Sequence, residues 1–211
     1  MRTPVVSLVS LTVVGALGAL VLLGCNGNTS ATRTDEHAPA VSTTSVVVRP
    51  MVAWPAAATV DDGALLSLSR SGDKNDREIR ALVARSPVPV LAPKDVRLET
   101  PTLMVEGEYF ALTGRVERAT SRATVSIQGT RAAHRYETVD PQAGTRDLAR
   151  GANIRGFVTI NEGIRTASWI ENGTAYSVDV ECSEHTDLRC QNEDFLLSVV
   201  AQLTFVGGSG R

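Results

Sequence analysis

The sequence predicts an α+β domain, with a mostly antiparallel β-sheet and with N-terminal and C-terminal helices packed on one face. Two observations support this fold class. Short runs between residues 103 and 182 alternate apolar and polar side chains, which is typical of half-buried strands. On either side of this region, apolar residues recur at the spacing of a helix.

Two helices are predicted first, over residues 62–72 and 75–86. Asp76 is the expected N-cap of the second helix. The apolar face of that helix has three members, Ile79, Leu82 and Val83. The prolines of SPVP end the helix, because proline disfavours helical backbone in the residue before it. Residues 87–93 are then predicted as a short strand at a sheet edge, where proline is tolerated.

The strands that follow are separated by recognisable turns. Leu103–Val105 and Tyr109–Val116 flank Glu106-Gly107-Glu108, and ATVSIQG and NIRGFVTI read as two further strands. Residues 164–171 and 174–182 flank Asn172-Gly173, the strongest short-range signal for a hairpin, because a type I′ turn needs positive φ at both positions. The inward residues of the second strand are Tyr176, Val178, Val180 and Cys182.

The C-terminal helix is predicted from a cap at Asn192 to about Gln202. Its apolar face comprises Phe195, Leu196, Val199, Val200 and Leu203. LTFV is expected to leave the helix as a short extended segment, and GGSGR is expected to form a flexible tail.

The chain begins with an apolar run. Val5–Gly24 contains twenty residues without a charge and follows a single basic residue, Arg2. About twenty apolar residues can span a bilayer. A basic residue, an apolar core and a small residue at the end also describe a secretory signal peptide.

The end of this run, Leu22-Leu23-Gly24-Cys25, resembles the lipobox of bacterial lipoproteins. The resemblance implies a signal peptide over residues 1–24, cleavage before Cys25, and diacylglycerol with a fatty acyl group on Cys25. Several acyl chains are needed for stable anchoring, since each buried methylene contributes only about 0.8 kcal/mol. The alternative is an uncleaved transmembrane helix.

The predicted organisation has three parts. After the signal peptide, residues 25–45 comprise the lipidated Cys25 and a small, polar tether. Residues 46–211 form one domain, onto which Val46–Val48 and Val52–Trp54 are expected to dock. The whole chain has 21 basic and 23 acidic residues, a balance that does not favour nucleic acid as a partner.

The other two cysteines, Cys182 and Cys190, remain as a pair in an exported protein, so a disulfide bond is predicted. Such a bond would pin the C-terminal helix to the hairpin. The alternative is a metal site in which His185 joins the two thiols, with Glu184 or Asp187 as a fourth ligand. That spacing matches no recognised closed zinc site, and no metal is predicted.

The segment 131–155 contains a predicted long loop, ETVDPQAGTRDLARGA, and is rich in arginine. Long loops often carry function. A contact with an anion or a lipid head group is therefore considered for Arg131, Arg135, Arg146 and Arg150. The alternative is a solvated loop whose arginines pair with nearby acids.

The stretch Thr159–Cys190 resembles exported bacterial lipoprotein domains without an assigned activity. Neither this resemblance nor any motif in the chain provides a catalytic constellation. The function predicted from these residues is a non-enzymatic binding or structural module, held at a membrane by its lipid, with an envelope protein as a possible partner and with no cofactor.

Two other functions are compatible with the sequence. An enzyme would be indicated by a pocket in which His134 or His185 lies beside a carboxylate and a nucleophile. A lipid or lipoprotein carrier would be indicated by a large apolar cavity under the sheet. In enteric-type lipoproteins an Asp after the lipidated residue retains the protein in the inner membrane, so Asn26 favours the outer membrane if the cell has two.

Overall fold

The described part of the chain consists mostly of antiparallel β-strands with a few helices, in agreement with the predicted class. The structure, a computed structural model, describes residues 45–56, 59–68, 73–118, 121–136, 143–151 and 153–209, which all belong to one unit, Ser42–Arg211. The predicted signal peptide and the tether up to residue 44, including Cys25, lie outside these residues. No described helix has the length and apolarity that crossing a membrane requires.

The strands are β1 (Ser45–Val48), β2 (Val90–Pro93), β3 (Glu99–Glu106), β4 (Tyr109–Arg118), β5 (Ser121–Thr130), β6 (Ala133–Tyr136), β7 (Arg146–Asp147), β8 (Arg155–Asn161), β9 (Ile164–Glu171), β10 (Thr174–Cys182) and β11 (Leu203–Gly207). The helices are α1 (Asp62–Ser67), α2 (Asp73–Arg85), α3 (Leu188–Gln191) and α4 (Asp194–Ala201).

Seven strands form the main antiparallel sheet, in the order β3-β4-β5-β10-β9-β8-β7. Two meanders, β3-β4-β5 and β7-β8-β9-β10, meet where β5 pairs with β10. Two smaller sheets pair β2 with β11 and β1 with β6. Since the β5–β10 pairing joins residues about fifty positions apart, it places side chains of both meanders next to each other.

One face of the main sheet, called the inner face here, is apolar and buried. Its central residues, which are fully buried, are Leu112, Val125, Ile127, Val178 and Val180. They belong to one core cluster with Ile79 and Val83 of α2 and with Leu196, Val199 and Val200 of α4. The apolar faces predicted for both helices are therefore confirmed, except that Leu203 lies in β11 and not in the C-terminal helix.

The predicted hairpin is confirmed with the same strand bounds, Ile164–Glu171 and Thr174–Cys182. Asn172 and Gly173 have φ of 53° and 72°, as a type I′ turn requires. A second tight turn, Glu162-Gly163, joins β8 to β9 with φ of 50° and 85°. This turn is not predicted from the sequence, because it lacks the Asn-Gly pair.

Several predicted helix ends are wrong. Helix α2 begins at Asp73, so Asp76 lies inside it and is not its cap. Helix α1 ends at Ser67, and residues 69–72 lie outside the described part of the chain. Helix α4 begins at Asp194 rather than after Asn192, although the Asn192 carboxamide still accepts a hydrogen bond from the Asp194 amide at 3.1 Å.

A short helix, α3, precedes α4 and was not predicted. Asp187 is its N-cap, and the Asp187 carboxylate accepts the amide of Arg189. A helix of four residues is too short to show the apolar periodicity by which a helix is recognised in a sequence.

The segment before α1 docks on the domain, as predicted. Strand β1 pairs with β6. The Ala53 amide donates to the Asn172 carbonyl at 2.9 Å, which places residues 51–53 over the turn of the predicted hairpin. The segment LTFV is extended, as expected, and pairs with β2 as part of β11.

Candidate functional site

The face of the main sheet opposite the core, called the outer face here, carries mostly small polar side chains. Residues directly opposite each other in paired strands share a face. One such row crosses five strands and consists of Thr113, Ser126, Asp179, Thr166 and Thr159. The alternation of β10, with Ser177, Asp179 and Glu181 opposite its buried residues, indicated this face in the sequence.

A cavity of about 300 Å³ opens on this outer face, between β5, β10, β9 and the end of β8. Its lining consists of Thr124, Ser126, Asn161, Ile164, Thr166, Asp179 and Glu181. The lining therefore offers two carboxylates, three hydroxyls, one carboxamide and one aliphatic side chain. No cationic side chain is part of this lining. Its volume lies at the lower end of the range for small-molecule sites.

Asp179 is held in place by its neighbours on the outer face. The Thr166 hydroxyl donates to Asp179 Oδ1 at 2.6 Å, and the Gln128 carboxamide donates to Asp179 Oδ2 at 3.3 Å. One strand further, the Ser126 and Thr113 hydroxyls are 3.2 Å apart. Each carboxylate oxygen keeps acceptor capacity, because an ionised carboxylate can accept about four hydrogen bonds.

Glu181 lies two residues further along β10 on the same face and is exposed. Within the described part of the chain, no side chain forms an ion pair or hydrogen bond with it. The cavity thus presents one positioned carboxylate and one unpaired carboxylate, which can bind a positively charged group with hydrogen-bond donors. The exposed Arg115 lies on the same face, opposite Thr124.

The histidines do not contribute to this cavity as described. His185 is exposed and is not part of the lining. The side chain of His134 lies outside the described residues. The arrangement named above as the sign of an enzyme, a histidine beside a carboxylate and a nucleophile, is therefore not formed by the residues that line this cavity.

The predicted disulfide bond is confirmed. Cys182, the last residue of β10, is bonded to Cys190 in α3, with 6.1 Å between their Cα atoms. Because the bond uses both thiols, neither is available as a thiolate ligand, and the alternative metal site with His185 has no support. The described residues contain no group of His, Cys, Asp and Glu side chains that could hold a metal ion.

A buried ion pair lies beside this disulfide. The Arg189 guanidinium binds the Asp187 carboxylate, with Nε 3.0 and 3.1 Å from its two oxygens, and both side chains are almost fully buried. The hydrogen bonds from Arg189 hold the pKa of Asp187 well below its usual range, although burial opposes this effect. Arg189 also donates to the Val116 carbonyl and to the Ser121 hydroxyl.

The four arginines considered for anion contact are not gathered into one described site. The side chain of Arg150 is largely buried, binds Glu171 with 2.8 Å between Nε and Oε2, and lies over the Trp169 ring. Arg146 pairs with Glu193. The amide of Arg131 donates to the Glu108 carbonyl at the β3–β4 turn, and the side chain of Arg135 lies outside the described residues.

Arg146 and Arg150 are thus paired with acids, as in the alternative of a solvated loop. The acids, however, come from distant parts of the chain and not from the loop itself. Anion binding by Arg131, Arg135, Arg146 and Arg150 stays a prediction.

No protein-family model matches the chain, and no curated protein or solved structure matches it either.

Proposed function

We propose that the chain is a lipid-anchored protein of the bacterial cell envelope whose domain binds a small ligand in the cavity on its outer face. The observation that carries this proposal is the lining of the cavity, with the unpaired Glu181 carboxylate beside the positioned Asp179 carboxylate. Such a lining complements a ligand with an ammonium group and several hydroxyl groups. An amino sugar has this chemistry.

We also infer that the helices lie on the inner side of the sheet, so that the outer face stays open. The support is that α2 and α4 share one buried cluster with the inner residues of β4, β5 and β10. The outer residues of these strands are only partly buried or exposed. Coverage of one face leaves the other face accessible to a ligand.

The anchoring part of the proposal relies on the sequence LLGC. Lipid on Cys25 would hold the domain at the membrane, and the polar residues that follow would act as a tether. The implied location is the cell envelope, in the outer membrane if two membranes are present. No cofactor is proposed apart from the covalent lipid, and an envelope protein remains a possible partner.

The ligand site is tested with three sugars that differ in charge. Saturation-transfer NMR at about pH 6, where an amine is protonated, should detect glucosamine binding to the full chain in detergent. Glucose and glucuronate should bind more weakly, because they lack the positive charge. The combined variant Asp179→Asn and Glu181→Gln should weaken glucosamine binding about tenfold, the loss expected for one charge-assisted hydrogen bond.

The matched control is Glu184→Gln, which removes an exposed carboxylate outside the cavity and should leave binding unchanged. Equal binding of the three sugars would contradict the proposed ligand chemistry. Equal glucosamine binding by the combined cavity variant and by Glu184→Gln would contradict it as well. The glucosamine recovered after long incubation should be unaltered, since the proposal is a binding function without catalysis.

A further inference from the structure

The two edges of the main sheet differ in how well they are protected against pairing with another strand. Strand β3, at one edge, contains Pro101, a residue with positive φ at Thr100, and an irregular register between Glu99 and Thr102. These features block regular pairing over residues 99–102, at the start of the strand. At the other edge, β7 covers β8 only at Arg155 and Gly156.

The rest of β8, residues 157–161, has no partner strand within the described part of the chain and is called the open edge here, although Gly144, just before β7, lies near the Phe157 ring. This open edge contains no proline and no charged residue. It exposes two large apolar side chains, Phe157 at 37% on the outer face and Ile160 at 58% on the inner face. Exposed, apolar and uncharged edge strands are sites of strand pairing.

The backbone groups that face the open edge can be assigned from the turn. In a hairpin with a two-residue loop, the residues flanking the loop, here Asn161 and Ile164, bond to each other. The backbone hydrogen bonds of β8 to β9 are then made by every second residue counted back from the turn, namely Asn161, Thr159 and Phe157. The N–H and C=O groups of Val158 and Ile160 therefore point to the open edge, on the side where Gly156 pairs with β7.

We propose that this open edge pairs with the same edge of a second copy of the chain, antiparallel and with the two-fold axis at Thr159. This register uses all five residues that β7 leaves free. It pairs Val158 of each copy with Ile160 of the other, which joins the outward backbone groups in four hydrogen bonds and buries two apolar contacts. The two seven-stranded sheets become one continuous sheet.

Charge supports a second copy as the occupant. Arg155 begins β8, and Glu162 follows its end. Antiparallel pairing of identical strands brings Arg155 of one copy near Glu162 of the other, whereas parallel pairing would bring like charges together. Five residues form a short interface by the standard of stable dimers, so the dimer is expected to be weak.

The register is tested by a disulfide at the two-fold axis. The two Thr159 residues form a non-hydrogen-bonded pair, whose Cα atoms lie about 4.5 Å apart, within the range of a disulfide bond. Oxidation of full-chain Thr159→Cys in detergent, with micelles in large excess, should give a disulfide-linked dimer on a non-reducing gel. The control is Met104→Cys, in the other edge strand β3 with 46% exposure, which should stay largely monomeric.

A second pair of variants tests the association without an added thiol. Ile160→Lys places a charge at the open edge, whereas Ile170→Lys places one on the neighbouring strand β9, at 57% exposure against 58% for Ile160. Sedimentation equilibrium up to several hundred micromolar should show at least about tenfold weaker self-association for Ile160→Lys. Ile170→Lys should associate like the unmodified chain.

The proposal is overturned if the unmodified chain stays monomeric throughout this range. It is also overturned if both cysteine variants crosslink equally, or if both lysine variants associate equally.

Discussion

Three arginines, Arg150, Arg165 and Arg189, bind backbone carbonyl groups around the C-terminal helices. The acceptors of Arg150 and Arg165 are the carbonyls of Cys190, Gln191, Val200 and Leu203, at or next to the ends of α3 and α4. The acceptor of Arg189 is the Val116 carbonyl in β4. Carbonyl groups at the end of a helix have no partner inside it. A guanidinium group can bind several of them at once, because it carries five N–H donors in a fixed plane.

At the same scale, Asp187→Asn should lower the free energy of unfolding by about 3 kcal/mol at neutral pH, because it leaves the buried Arg189 without its counter-charge. Urea denaturation with the disulfide intact measures this loss. Glu184→Gln, which changes an exposed carboxylate nearby, should shift stability by no more than about 0.5 kcal/mol. Equal effects of the two substitutions would contradict the role assigned to the ion pair.

The same pair predicts a pH dependence. The folded pKa of Asp187 lies below its ordinary value of 3.8, so its ionisation stabilises the folded state above that pH. This contribution is lost as the pH falls below about 4 toward the folded pKa. The difference in stability between the unmodified chain and Asp187→Asn should therefore shrink between pH 7 and pH 2. A constant difference would show that the charge of Asp187 is not its cause.

At the scale of elements, the hairpin β9–β10 connects local sequence to tertiary contact. Asn172-Gly173 sets the turn and the register of both strands. The same turn is covered by residues 51–53, whose Ala53 amide bonds to the Asn172 carbonyl. A Cβ atom on Gly173 would collide with the Met51 carbonyl oxygen. The glycine therefore serves both the backbone conformation and the close approach of the N-terminal segment.

Alanine substitutions at two turn glycines separate the effect of backbone conformation from the effect of the contact with residues 51–53. Gly163→Ala meets no atom within 4 Å at φ +85°, so it should cost about 1 kcal/mol from backbone conformation alone. Gly173→Ala, at φ +72°, adds the clash with Met51 and should cost about 2 kcal/mol more.

Hydrogen exchange provides a second measurement of the same contact. The Ala53 amide should exchange faster in Gly173→Ala but not in Gly163→Ala, because only the first substitution displaces residues 51–53. Unchanged exchange in both variants would contradict the proposed contact.

At the scale of the whole molecule, the proposed anchor, the ligand cavity and the pairing edge belong to different parts of the chain. The cavity lies on the outer face of the sheet, and the open edge lies at the end of β8. Paired sheets would form one continuous outer face. Anchoring of each copy by its own lipid would concentrate the chains at one surface and favour this weak association.

The anchor makes its own prediction. Cys25→Ala should stop lipidation and cleavage, so that fractionation of cells finds the protein as the full-length precursor and no longer as the processed, lipid-bearing form. Metabolic labelling with a fatty acid measures the modification directly. The matched control, Cys182→Ala combined with Cys190→Ala, removes the disulfide and should leave labelling intact. Labelling that persists in Cys25→Ala would contradict the assignment of the lipid to this residue.

The sequence by itself predicted the strand alternation, the Asn172-Gly173 hairpin, the apolar faces of the two longer helices and the disulfide. These features depend on residues that are close in the chain, or on the small number of cysteines. Helix ends were predicted less well, since capping at Asp76 and Asn192 competes with neighbouring residues that serve equally well.

The tertiary structure decided the order of the strands, and with it the cavity, the open edge and the partners of the arginines. The cavity forms where Ser126 of β5 lies beside Asp179 of β10. Arg150 binds the Glu171 carboxylate and a carbonyl at the end of α4. These contacts join residues between about 20 and 55 positions apart. Local patterns place each side chain on a face of its own strand, but only the packing of the whole chain determines which strands become neighbours.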